Sequence, residues 1–212
     1  MTIPHLLNID IHVFAGVVAM AIGFFILARE KGTTLHRKLG KIFCYFVLVV
    51  CAAAATGLIL FRFLPIFAVI TVLVSYQLLS GWRVIYTRNS GPTAVDAALT
   101  FFAVMLSIFL APVVLQSLSQ QNMVVYSTFG ALSCVLLYDS VRWLFPRNWH
   151  HFLWRYEHTY KLLSALFSML SAFVGNVVRF GQPWSQLLPS LLGIVCIGYF
   201  FFKLYKENKK VV

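Results

Sequence analysis

The sequence predicts an all-α membrane protein, one seven-transmembrane helical bundle over residues 1–212, and three observations predict it. Hydrophobic residues make up 60% of the chain and charged residues only 11%, where soluble domains carry about 25% charged residues. Apolar runs long enough to cross a bilayer occur seven times. The basic residues fall almost entirely between alternate runs.

The mean hydropathy is +0.84, and no soluble fold of this size hides that much apolar surface. A span needs roughly 20 mostly apolar residues at 1.5 Å rise each. Runs of that kind, bounded by charges, Pro, Gly or Asn, lie at Ile11–Ala28, Ile42–Phe61, Leu64–Tyr86, Ala94–Leu115, Met123–Val141, Leu162–Val178 and Leu187–Leu204. Pro112 and Pro189 interrupt the fourth and seventh near their ends, where membrane helices tolerate them. Loops are short except for Phe145–Lys161, so the chain has no room for a soluble domain.

Alternating sides puts 15 of the 17 basic residues on one face, all but Arg62 and Arg179. Basic residues in short loops stay cytoplasmic. The segments Arg29–Lys41, Arg83–Arg88, Arg142–Lys161 and Lys203–Lys210 are therefore expected in the cytoplasm, with the N-terminus outside and the C-terminus inside. The location this implies is a cell membrane, with the basic face toward the cytoplasm. Met1–Asp10 carries no basic residue and no cleavage site follows, so the first span is expected to stay in the protein. The net charge of +11 lies in loops rather than on one amphipathic face, which excludes nucleic acid as partner. The expected partners are the lipid bilayer, anionic headgroups on the cytoplasmic face and, for an accessory subunit, another membrane protein.

Cys44, Cys51, Cys134 and Cys196 all lie inside spans and read as small buried hydrophobes without disulfides. Small residues recur every four positions at Ala15, Ala19 and Gly23, at Ala53 and Gly57, and at Ser164, Ser168 and Ala172. That spacing lets helices approach closely.

Polar residues inside spans are costly and mark candidate sites. The polar cluster is Gln77, Arg83, Asp139 and Arg142. Arg83 and Asp139 each sit about a turn inside a span end, so a buried pair between them is expected; the competing reading pairs Asp139 with Arg142 at i+3. The histidines give a second candidate. His36 opens the second span behind an N-cap at Thr33 or Thr34, and Gly40 follows one turn later, leaving room for a flat macrocycle. His151, Trp154, Arg155 and His158 fall at i, i+3, i+4 and i+7, one face of a helix. His36 and His158 share a side and a depth, as bis-histidine haem b ligation between helices requires. With Asp139 or Glu157 as an oxygen ligand the same pair would serve zinc. The bland reading leaves both histidines hydrogen-bonded to headgroups. His12, four before Gly16, stands at the opposite end and cannot join them.

The segments His12-x3-Gly16, Leu35-His36-Arg37-Lys38-Leu39-Gly40-Lys41 and His158 followed by Ser168–Phe173 resemble an uncharacterised family of bacterial multi-pass membrane proteins, domain-of-unknown-function family 2306. The resemblance implies the fold and singles out the three histidines, and it supplies no reaction. Leu162 stands four after His158 in place of a glycine, a departure that weakens a symmetric haem pocket. Three classes of function stay open: a haem-binding or redox protein using His36 and His158, a carrier for a small solute or ion, and a non-catalytic accessory subunit. No catalytic residue is assigned, since no Ser/His/Asp arrangement or H-E-x-x-H spacing occurs.

Overall fold

The first helix begins at Ile3 behind an N-cap at Thr2, with Pro4 in its first turn, and the last ends at Lys209. In the computed structural model, residues 2–116, 122–178 and 180–209 are described, so Arg179 and Lys210 of the charge count lie outside the described residues. The helices are α1 (Ile3–Leu27), α2 (Thr34–Leu60), α3 (Pro65–Thr87), α4 (Ala94–Leu115), α5 (Asn122–Val141), α6 (Arg147–Val177) and α7 (Trp184–Lys209). All seven are long and apolar enough to cross a membrane. Short 3-10 turns follow α3 and α5 at Arg88–Ser90 and Arg142–Leu144.

Local chemistry sets the helix starts. Pro65 occupies the first turn of α3, where its missing N–H costs nothing. Thr33 caps α2 by accepting the His36 N–H at 3.1 Å. At the other end of that loop the Lys31 ammonium donates to the Ile26, Leu27 and Arg29 carbonyls at 2.6, 2.8 and 2.9 Å, closing the negative end of α1. Burial pulls this ammonium down to about 8, and the nearby Lys203 charge acts in the same direction.

Three boundaries differ from expectation by two turns or more, the first being α1, which starts at Ile3 rather than Ile11. α2 starts at Thr34 rather than Ile42, and α6 starts at Arg147 rather than Leu162, so the long loop expected at Phe145–Lys161 is mostly helix. Hydropathy detects only the part of a helix that meets hydrocarbon. Its charged and aromatic first turns carry no such signal, although Arg, Lys, Glu and Leu are good helix formers.

α3 is the central helix and packs on α2, α4, α5 and α6. α1 lies against α2 and touches α6, while α7 packs on α6. One apolar cluster joins Ala15, Ala19, Val47, Val74, Ala165 and Leu166 across α1, α2, α3 and α6. A second joins Leu73, Ala103, Leu110, Leu132 and Leu136 across α3, α4 and α5. The expected small-residue stripe of α1 is buried at Ala15, Ala19 and Gly23. All four cysteines are free. Phe102, Phe109, Leu137 and Ile194 point outward, a surface suited to lipid chains.

Gly81 lets α3 pass close to α6. A Cβ there would stand 2.7 Å from the Lys161 Cβ and 3.2 Å from a Leu162 methyl. Both neighbours are held near their backbone, so the helices would have to separate. Gly81→Ala is expected to lower stability by about 1–3 kcal/mol. Gly40 meets nothing within 4 Å, so Gly40→Ala in mid-helix is expected to raise stability by about 0.5–1 kcal/mol. Thermal melts in detergent micelles compare the two.

Candidate functional site

The α3–α4 corner builds the first part of the site. Gly91 takes a φ of +75°, which turns the chain back, and Thr93 then opens α4 with a capping box. The Asp96 carboxylate accepts from the Thr93 N–H at 2.8 Å and from the Thr93 hydroxyl at 2.7 Å. It is thereby held facing α3, where the Arg83 Nε donates to it at 3.1 Å and the Arg83 Nη2 to Thr93 at 3.0 Å.

The expected pair between Arg83 and Asp139 is therefore corrected: Arg83 belongs to Asp96. Asp139 instead takes both its oxygens to Lys161, whose Nζ lies 2.8 Å from each. It also accepts from the Tyr76 hydroxyl, and the Arg142 Nε lies 3.5 Å away at i+3. Pairing depends on which helices neighbour one another. α4 brings Asp96 to Arg83 of α3, and α6 brings Lys161 to Asp139.

Arg142 sits at the hub. It donates to Glu157, stands 3.5 Å from Asp139 and 4.0 Å from Asp96. Tyr138 donates to the other Glu157 oxygen at 2.8 Å. The result is a cluster of three cations, Arg83, Arg142 and Lys161, and three carboxylates, Asp96, Asp139 and Glu157. Its charges balance. Lys161 is 0% and Asp139 1% exposed, and only Arg83 keeps access to the surroundings, with 31% of its side chain exposed.

All six lie toward the end of the bundle shared by the C-termini of α3 and α5 and the N-termini of α4 and α6, the end that carries most basic residues. Sequence reasoning counted Lys161 as a loop residue and missed it, and took Glu157 only as a polar residue or alternative metal ligand, without its partners. Their signal was the i, i+4 spacing of Glu157 and Lys161, which continues a helix face from His150.

Gln77 is 2% exposed on α3, and its Oε1 has no hydrogen-bond partner. The hydroxyl of Tyr76, the residue beside it, also lies 2.9 Å from Thr100, whose own hydroxyl is 2.9 Å from the Asp96 carbonyl.

The histidines occupy a neighbouring face. The His158 Nδ1 lies 3.0 Å from the Gly81 carbonyl, which can only accept, so the proton sits on Nδ1 and the Nε2 lone pair is free. His36 stands within electrostatic range of His158, and its Nδ1 is buried without a partner. The face expected to run through His151, Trp154, Arg155 and His158 is displaced by one residue. His150 is the buried one, against Gly91, whereas His151 is exposed beside Asn89 at 3.1 Å.

The zinc reading of His36 and His158 asks Asp139 for a free oxygen. Both Asp139 oxygens are engaged by Lys161, and among the described residues no three His, Cys, Asp or Glu side chains converge as metal ligands. His12 donates instead to the Val50 carbonyl at 3.1 Å and ties α1 to α2.

Comparison with models of known protein families, with curated proteins and with solved structures gives no match. The resemblance carried by the three histidine segments rests on those segments alone.

Proposed function

We propose that this chain is a multi-pass protein of the bacterial inner membrane, N-terminus outside, that carries a small ion across the bilayer with the buried ionic cluster as its working site. The observation that carries the reading is the pairing of Lys161 with Asp139, both nearly inaccessible, inside a helix bundle. Burying such a pair costs several kcal/mol per ion before the mutual attraction is counted, and apolar residues of equal volume often stabilise better. Stability alone therefore does not account for six such residues. Ionisable groups inside membrane helices mark ion paths and relays.

The test is reconstitution of the full chain into liposomes carrying indicators for protons, sodium, potassium and chloride. Flux of at least one ion above that of empty vesicles is expected, with loss of that flux in Asp139→Asn. Background flux for all four sinks the reading.

A second reading has one observation in its favour. The His158 geometry, with Nδ1 anchored on a carbonyl and Nε2 free, is the arrangement of an oriented metal ligand. With His36 it would hold haem b as a redox centre, and Gly40 leaves open space one turn along. A Soret band in protein purified from haem-replete cells, lost in both His36→Ala and His158→Ala, is the expected result on this reading; a colourless protein that takes up no added haemin ends it.

A further inference from the structure

Resting on the carrier reading, we infer that the ion is the proton and that it travels along one seam of α6. Positions 150, 154, 157, 161, 164, 168, 171 and 175 of α6 follow alternating steps of four and three, the spacing of a single helix face. At 1.5 Å per residue this seam is about 38 Å long, more than the roughly 30 Å of hydrocarbon. It carries His150, Glu157 and Lys161 in its first half and Ser164, Ser168 and Ser171 in its second. His150 packs under Gly91 at the basic end. At the other end the Ser171 hydroxyl donates to the Gln186 carbonyl of α7, and Gly175 admits the Gln186 side chain.

A second, independent observation comes from three buried polar atoms at or beside the ionic cluster. Gln77 Oε1, Ser80 Oγ and Arg142 Nε are buried, at residue exposures of 2%, 4% and 3%, and have no hydrogen-bond partner. Gln77 lies one turn before Gly81, which meets Lys161. Because α3 and α6 run in opposite directions, the register sets Gln77 against the Ser164–Ser168 turn. Clustered polar atoms of this kind give a water or hydronium the two to four partners it needs.

The chemistry favours a proton over a metal cation. A hard cation takes about six oxygen ligands, whereas every carboxylate of the cluster already faces Arg or Lys, and two buried cations stand in the way. A proton needs only donors and acceptors that can exchange roles. Tyr76 and Thr100 supply such a pair: two hydroxyl hydrogens serve three contacts, to Asp139, to the Asp96 carbonyl and between themselves.

In the transfer step a proton from the basic end binds an Asp139 oxygen, forming an O–H bond. Lys161, relieved of its counter-charge, breaks one N–H bond and gives that proton to a water at the Ser164–Ser168 turn, forming an O–H bond of a hydronium that carries the proton onward. The neutral acid and amine then restore the ion pair when the Asp139 proton crosses the 2.8 Å contact to Nζ. One proton has moved and no electron has.

Full-length protein in liposomes with a trapped pH-sensitive dye, under a potassium diffusion potential set by valinomycin, tests the inference. Proton entry well above that of empty vesicles is expected. The double variant Asp139→Asn/Lys161→Met, which removes both charges together, is expected to reduce it at least tenfold. Ser168→Leu, which fills the seam outside the ionic cluster, is expected to reduce it several-fold, with melting curves confirming that both variants are folded. Proton entry unchanged in either folded variant overturns the route. Sodium, potassium or chloride flux without proton entry overturns the inference and leaves the carrier reading in place, and absence of every flux removes both.

Discussion

Lys161→Met is expected to lower stability by about 3–5 kcal/mol, because it leaves the Asp139 carboxylate buried without its principal cation. Methionine fills nearly the volume of the lysine stem, so the loss reports charge rather than a cavity. Combining it with Asp139→Asn removes the stranded charge, and most of the stability is expected to return. Unfolding in mixed micelles titrated with a denaturing detergent measures the four corners of this cycle. Equal losses in the single and double variants would show that Lys161 acts through packing alone.

Arg142→Met is expected to lose a comparable about 3–5 kcal/mol, for a different reason. Arg142 is the one cation facing all three carboxylates, so its removal leaves Glu157 with only the Tyr138 hydroxyl. Arg142→Lys keeps the charge but replaces a planar fork by a point donor and recovers only part of the loss. Glu157→Gln added to Arg142→Met is expected to restore stability, and the same titration reads it. If Arg142→Lys is as stable as the parent, the fork geometry is irrelevant.

Much of the fold was legible because crossing a bilayer demands only length and apolarity, which composition records residue by residue. The seven runs from Ile11–Ala28 to Leu187–Leu204 each correspond to a helix. The N-terminal half of α6 was hidden, since Arg147, His151 and Arg155 resemble loop residues to any measure of hydropathy.

The site was legible in kind and not in connection. Asp139, Arg142, Gln77 and Arg83 were singled out as polar residues inside spans, and all four lie at or beside the cluster. That Asp96 rather than Asp139 faces Arg83 follows from α4 packing on α3, which no single span announces. Lys161 was hidden for the opposite reason. A lysine at the edge of a span raises the count of basic residues on one side whether it points outward or inward. Only the helix face it shares with Glu157 gives its direction away.

The order of the charges along the chain bears on how the protein enters a membrane at all. Arg83 and Asp96 belong to the hairpin of α3 and α4, thirteen residues apart, and pair with each other. Asp139, Arg142, Glu157 and Lys161 belong to the next hairpin, of α5 and α6, and hold two negative and two positive charges among themselves. Each hairpin leaving the ribosome thus carries its own counter-ions. Neither has to wait in the bilayer with a net buried charge for a partner not yet synthesised, when a single unpaired charge at depth costs about 2.5–3.5 kcal/mol. Across the two hairpins, among the described residues, only the 4.0 Å approach of Arg142 to Asp96 joins one carboxylate to one cation. That contact is expected to form last, once both neutral pairs of helices are in place.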